Sequence, residues 1–142
     1  MFREKEYLLQ LYRVLHPEDK NVSEDDLSDI TIENILTNAL YNDLGFRVRN
    51  KLIILVEAQS TWTMNILLRF GMYIFKTYKD ILENTKQNVY GKKKVVLPRP
   101  EFYVVYPKKA GKHRKYQSIS LAEELWNGEK TSLEITAKKS TV

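Results

Sequence analysis

Hydrophobic residues recur at three- and four-residue spacing in three stretches of the chain, and this spacing is typical of amphipathic helices. The predicted helices cover Arg3–Leu15, Trp62–Leu82 and Ser120–Asn127. Pro17 follows the first of them and Gly128 the last, and both residue types end helical patterns.

Short apolar runs bounded by turn residues predict strands instead. Two such runs lie on either side of Arg49–Lys51 and form a predicted hairpin, a buried strand is predicted over Glu101–Tyr106, and a last strand over Ser132–Ala137. Because a long helix separates the second hairpin strand from Phe102–Tyr106, we expect these two strands to be parallel neighbours joined by a right-handed crossover. The predicted fold class is therefore α/β (α+β mixed sheet), a central mixed β-sheet flanked by helices.

The segment between the first helix and the hairpin has a less regular pattern. Glu18–Ser28 is polar and acidic, with Ser23 placed to cap a short helical turn. Asp29–Tyr41 fits either a strand that becomes a helix or one helix begun at Thr31. We expect a single domain over residues 1–142, shortened at its C-terminal end relative to longer relatives, because little chain follows the predicted last strand.

The hairpin carries an acid at the outer end of each strand. With Arg49–Lys51 as a three-residue loop, Asp43 faces Glu57, and side chains so opposed lie about 4.5–5.5 Å apart at Cβ. A two-residue loop would shift the pairing by one and move one acid to the other face of the sheet. The chemistry at this end of the hairpin therefore depends on the register.

Both faces of the second hairpin strand are apolar up to Glu57, where an ionised carboxylate needs a cation, a hydrogen-bond donor or water. Asp43 and Glu57, with the backbone carbonyl of Ala58 and several waters, would suit octahedral Mg²⁺. The alternative is that Glu57 lies exposed at the strand end while Asp43 caps a turn. Gln59, two residues further on the same face, is then an ordinary surface amide.

Composition narrows the choice of metal ligands and of location. The chain has no cysteine, and its two histidines, His16 and His113, are too far apart in the sequence for a typical zinc cluster. Any metal would thus be held by oxygen, and no disulfide partner is expected. No segment resembles a secretion signal or a membrane-spanning helix, so a cytoplasmic location is the default expectation.

The net charge of +5 favours an anionic partner. Two basic runs fall in predicted loops on either side of the strand Glu101–Tyr106, namely Lys92–Lys94 and Lys108–Lys115. Both runs are either solvated lysine loops or, beside an acidic metal site, contacts to nucleic-acid phosphates.

Several motifs occur in a fixed order along Phe2–Ala137. They are Asn42-Asp43, a hydrophobic strand, Glu57-Ala58-Gln59-Ser60-Thr61, Leu68-Arg69-Phe70 with Tyr73, Pro98–Tyr106 and Ile119–Trp126. Taken together, they resemble the PD-(D/E)XK nuclease superfamily and, more narrowly, the recombination-promoting nuclease and transposase family of bacteria.

The resemblance implies a restriction-endonuclease-like core and a metal-dependent DNA endonuclease, in which Mg²⁺ or Mn²⁺ activates water for attack on a phosphodiester. Asp43 and Glu57 match the two metal-binding acids, with Ala58 lending its carbonyl. Gln59 stands where many members have a catalytic lysine. Glu6 matches an acid that many members carry on the first helix, unless it is an ordinary solvated residue.

The resemblance also implies a set of DNA contacts. Arg69 and Tyr73 lie one helical turn apart on a shared face and would contact the substrate phosphate, although Tyr73 equally fits a core position. The basic side chains that would grip the DNA backbone are Lys92, Lys93, Lys94, Lys112 and Arg114.

Two other interpretations stay open. A neutral amide at Gln59 supplies no positive charge, which favours a fragment or weakened copy that binds nucleic acid without cutting it. In the second interpretation, the chain is a structural or interaction domain whose acidic residues are surface groups. DNA is the expected partner in the nuclease and binding interpretations, no membrane partner is expected, and a homodimer is left open.

Overall fold

The computed structural model of the chain describes residues 2–30, 43–57, 65–105 and 115–141. The elements in chain order are α1 (Phe2–Leu15), a 3-10 turn (Glu24–Asp26), β1 (Leu27–Ile30), β2 (Leu44–Val48), β3 (Lys51–Glu57), α2 (Ile66–Asn84), β4 (Arg99–Val105), β5 (Lys115–Ser120), α3 (Leu121–Leu125) and β6 (Thr136–Thr141). They form a six-stranded mixed sheet with helices against it, which confirms the predicted fold class.

The strand order is β1-β2-β3-β4-β6-β5. The first three strands form an antiparallel meander, β4 pairs in parallel with β3, and β6 pairs in parallel with β4 and antiparallel with β5. The prediction that the strands before and after the long helix are parallel neighbours is therefore confirmed.

The hairpin between β2 and β3 differs from the three-residue loop predicted above. Only Arg49 and Asn50 form the turn, Lys51 is the first residue of β3, and Phe46 pairs with Ile53. The predicted pairing of Asp43 with Glu57 is therefore wrong, because every cross-strand partner is shifted by one residue.

Contacts from other parts of the chain hold this short turn. Arg49 has a left-handed backbone with φ of 55°, which is uncommon outside glycine. Its amide donates to the carbonyl of Asp26 at 3.0 Å, and its guanidinium contacts the carboxylates of Asp19 at 2.7 Å and Asp26 at 3.2 Å. The carbonyl of Asn50 accepts from the amide of Arg99 at 2.7 Å. The turn is thus fixed between the segment after α1 and the start of β4.

Alternation along β3 divides the core between the two faces of the sheet. One core lies under α2 and its fully buried members are Leu52, Ile54, Val56, Leu67, Phe70, Val104 and Leu121. The other lies under α1 and includes Leu8, Tyr12, Phe46, Val48, Ile53, Leu55 and Tyr103. A strand that is apolar on both faces is therefore buried on both, as its sequence predicts.

The predicted elements differ from the observed ones mainly at their ends. The long helix begins at Ile66 and runs to Asn84, with residues 62–64 outside the described part. Of the ambiguous segment Asp29–Tyr41, the first two residues end β1 and the rest lies outside the described residues. The short helical turn after Ser23 is confirmed.

The last strand lies later than predicted, at Thr136–Thr141 in place of Ser132–Ala137, and β5 was not predicted. The residues just before β6 accept hydrogen bonds from the first amides of α3 and are not part of the sheet. The carboxylate of Glu134 accepts from the amides of Leu121 at 2.9 Å and Ala122 at 3.3 Å, and the carbonyl of Ile135 accepts from the amide of Leu121 at 2.8 Å.

Candidate functional site

The open end of the hairpin, where β2 begins and β3 ends, is called the hairpin mouth below. Asp43 lies there, immediately before β2, and only 6% of its side chain is exposed. Since Leu44 pairs with Leu55, Asp43 comes level with Val56. The carboxylate contacts α2, which lies on the sheet face to which Val56 contributes its side chain.

Two side chains of α2 hold the Asp43 carboxylate. Nη2 of Arg69 donates to both carboxylate oxygens, at 2.7 and 2.6 Å, and the Tyr73 hydroxyl donates to Oδ2. The Arg69 side chain is itself only 10% exposed. The structure thus gathers three residues of the predicted site into one buried cluster, the Asp43–Arg69–Tyr73 cluster.

The helix explains why these two donors converge. Residues four positions apart on an α-helix are neighbours on one face, so the prediction that Arg69 and Tyr73 share a face is confirmed. Tyr73 also packs in the core beneath α2. Burial and the hydrogen bond to Asp43 raise the pKa of the Tyr73 hydroxyl, so it remains a donor at neutral pH.

This arrangement balances charge without a metal ion. A buried carboxylate is costly unless it is paired, and here a guanidinium pairs with it. A divalent cation at Asp43 would compete with Arg69 for the same two oxygens. The described residues therefore do not by themselves fit a metal centre, and among them no three acidic or histidine side chains are grouped so as to hold an ion.

The other predicted ligands are only partly described. Glu57 is the last residue of β3, with the placement of its side chain outside the described part, and Ala58 and Gln59 also lie outside it. Glu6 is exposed on α1. Lys112 and Arg114 lie outside the described residues. The roles predicted for these residues stay predictions.

The described basic run, Lys92–Lys94, lies at the opposite end of the sheet from the hairpin mouth. It is exposed, follows the C-terminal end of α2 and precedes β4, whose first residue pairs with Lys51 beside the hairpin turn. From Arg69 to Asn84 the helix rises about 22 Å. Any phosphate bound by these lysines is thus well separated from Asp43.

A second polar cluster was missed by the sequence analysis. His16, after α1, contacts Glu101 of β4 at 2.6 Å through Nε2 and Glu18 at 2.7 Å through Nδ1. Each ring nitrogen of His16 thus lies at hydrogen-bond distance from a carboxylate oxygen. The Tyr103 hydroxyl donates to the Glu101 carboxylate at 3.0 Å. The pKa of Tyr103 is raised, mainly by burial and next by the negative charge of Glu101.

The His16 cluster borders a polar pocket of about 270 Å³ on the α1 face of the sheet. Lys138 and Ser118 line the other side of this pocket. His16 and Glu101 are 85 positions apart, so no local pattern could have shown that they meet. The contacts of the His16 ring with Glu18 and Glu101 link the end of α1 to β4.

No described helix is both long and apolar enough to cross a lipid bilayer. Comparison of the chain with protein-family models, with curated proteins and with solved structures yields no match in any of the three.

Proposed function

We propose that this chain is a metal-dependent DNA endonuclease of the transposase or recombination-promoting type, with Asp43 at its reactive centre. The observation that carries the proposal is the Asp43–Arg69–Tyr73 cluster at the hairpin mouth. A buried ion pair often contributes no more stability than apolar side chains of the same volume. Burying an acid with two dedicated donors at the end of a sheet therefore favours a functional role.

The predicted chemistry requires a second acid and a divalent cation. Mg²⁺ or Mn²⁺ held by Asp43 and Glu57, with the carbonyl of Ala58, would have to displace Arg69 from the Asp43 carboxylate and span the one-residue offset of the hairpin. An ion bound there would supply an activated water and neutralise charge at phosphorus. Gln59 would orient that water. The guanidinium of Arg69 is the positive charge beside Asp43.

A second candidate function is DNA binding with little or no cleavage. Two observations favour it: the one-residue register shift, which separates Asp43 from Glu57 across the hairpin, and the engagement of both Asp43 oxygens by α2. The net charge of +5 supports DNA as the partner in either case.

Plasmid nicking separates the two candidates. The wild-type chain, Asp43→Asn and Glu57→Gln are incubated with supercoiled DNA in Mg²⁺, in Mn²⁺ and in EDTA. We expect nicking by the wild type that EDTA abolishes and that each substitution lowers by at least about tenfold, the size of effect seen when metal coordination is disturbed. Asp25→Asn, an exposed acid of the 3-10 turn, is the matched control and should nick like the wild type.

Equal nicking by the wild type and Asp43→Asn would overturn the assignment of Asp43. If the wild type binds DNA but never nicks it with either metal, the binding function is the correct one. Far-UV circular dichroism of each variant confirms that lost activity does not reflect unfolding.

A further inference from the structure

The loop between α2 and β4 has a defined shape. Two hydrogen bonds between Gln87 and Val96 close the loop at its base. Nε2 of Gln87 donates to the backbone carbonyl of Val96 at 3.0 Å, and Oε1 of Gln87 accepts from the backbone amide of Val96 at 2.6 Å. The segment between them, residues 88–95, is called the clasped loop. Inside it, the Tyr90 amide donates to Oδ1 of Asn88 at 2.9 Å.

The end of α2 fixes how the clasped loop leaves the helix. Lys86 has a left-handed backbone with φ of 56°, and its amide donates to the carbonyl of Glu83 at 3.2 Å. The amide of Gln87 donates to the carbonyl of Leu82 at 2.9 Å. These two bonds form a Schellman motif, which ends the helix and directs the chain into the loop. The loop is therefore organised before any ligand binds.

The clasped loop surrounds a strongly basic pocket of about 520 Å³. Four lysines line it, namely Lys86, Lys92, Lys93 and Lys94. The remaining lining residues are uncharged, and none of the described residues that line the pocket is acidic. Such a pocket attracts anions, and a line of phosphates is the anion that several adjacent lysines fit.

The clasped loop also carries an aromatic residue, Tyr90, two positions before Lys92. Tyr90 is 94% exposed, more than Tyr7 of α1 at 57%, and Val89 and Val96 next to the pocket are also exposed. A tyrosine ring in water gains no free energy from burial, so a hydrogen-bonded loop that exposes one offers a surface for a planar ligand. Aromatic side chains combined with a basic groove are the usual means of binding single-stranded nucleic acid.

We propose that the clasped loop binds single-stranded DNA, with a base stacked on Tyr90 and neighbouring phosphates held by the four lysines. The inference rests on the proposed function for the choice of DNA, and it adds that the substrate carries an unpaired segment. Because α2 separates the loop from Asp43 by about 20 Å, this contact is distinct from the reactive centre. Gln87 is a positioning residue that keeps the loop closed.

The test measures fluorescence anisotropy of a labelled oligothymidine of twenty nucleotides in EDTA, at several salt concentrations. We expect Tyr90→Ala to weaken binding by about tenfold or more, and Tyr90→Phe to bind like the wild type because the ring is kept. Tyr7→Ala, which removes an exposed tyrosine from α1, is the matched control and should have no effect.

The contribution of the lysines is measured by how the affinity depends on salt concentration. Replacing Lys92, Lys93 and Lys94 together by alanine should lower the slope of log affinity against log salt by about 2, since each phosphate contact on a single strand contributes about 0.7. Tyr90→Ala should leave the slope unchanged. Lys79→Ala, an exposed lysine on α2, is the charge control.

Three results would overturn the inference: wild-type affinity in Tyr90→Ala, an equal loss in Tyr7→Ala, or tighter binding of a twenty-base-pair duplex with the same dependence on Tyr90. If the wild type does not nick DNA but its binding of the oligonucleotide depends on Tyr90, only the proposed endonuclease activity is wrong. If the wild type nicks DNA and Tyr90→Ala binds the oligonucleotide like the wild type, only this inference is wrong.

Discussion

At the scale of single residues, the Asp43–Arg69–Tyr73 cluster shows what a helical pattern can and cannot predict. The spacing of Arg69 and Tyr73 determines that they are neighbours, because helix geometry is local. What lies opposite them is decided by packing between distant elements. The spacing therefore predicts correctly that both residues share one face, but the predicted partner is a phosphate where the structure has the Asp43 carboxylate.

Removing Arg69 should leave a buried, unpaired carboxylate. We expect Arg69→Met to lower the free energy of unfolding by about 3–5 kcal/mol, the usual cost of breaking a buried ion pair. Tyr73→Phe, which removes one hydrogen bond to a charged group, should cost about 1.5–3 kcal/mol. Urea denaturation at pH 7 measures both.

A double variant tests whether this cost arises at Asp43. In Asp43→Asn/Arg69→Met the carboxylate is gone, so the combined loss should be smaller than that of the two single changes added together. A loss below about 1 kcal/mol in Arg69→Met would contradict the burial argument.

At the scale of elements, the hairpin turn explains why the register could not be predicted from the hairpin alone. A left-handed Arg49 is unfavourable in isolation, and its bonds to Asp19 and Asp26 come from a segment more than twenty residues earlier.

Strand β5 was not predicted because its sequence pattern is weak. It is an outer strand of the described sheet, and among its residues 116–120 only Ile119 is buried, so its sequence lacks a strong alternation.

The turn contacts predict an effect of acid on stability. The hydrogen bond from Arg49, followed by that from Tyr12, lowers the pKa of Asp19 below its usual 3.8. The unfolded chain then binds more protons, so the contribution of Asp19 is complete above its usual pKa and is lost as the pH falls through the lowered pKa. Asp19→Asn should therefore be less stable than the wild type at pH 7, with the difference shrinking towards pH 2.

Urea midpoints between pH 2 and pH 7 measure this difference. Asp25→Asn serves as the control, since Asp25 is exposed in the same segment. Parallel curves for the wild type and Asp19→Asn over the whole range would show that the Arg49 contact adds no stability.

At the scale of the whole molecule, one strand joins two cores. Ile53 and Ile54 are adjacent in β3 and fully buried, but the first packs under α1 and the second under α2. The sequence predicted this from an uninterrupted apolar run. It could not predict which of the two isoleucines lies under which helix, because that depends on how α1 and α2 pack back onto the sheet.

Equivalent truncations on the two faces should have similar effects. Ile53→Ala and Ile54→Ala should each cost about 2–5 kcal/mol, since both leave a cavity in a packed core. Because both cores share β3, unfolding should remain one transition in each variant, with coincident circular dichroism and tyrosine fluorescence curves. Separate transitions would mean that the cores unfold independently.

The position of β6 between β4 and β5 has a consequence for the order of assembly. In the described sheet β5 pairs with β6 and with no other strand, although it precedes β6 in the chain. As a ribosome releases the chain, β1 to β4 can pair as they emerge, whereas β5 must wait until residues 136–141 have been made. A nascent chain therefore carries an open β4 edge and an unpaired β5 for about twenty residues of synthesis, the interval in which wrong pairing with another chain is easiest.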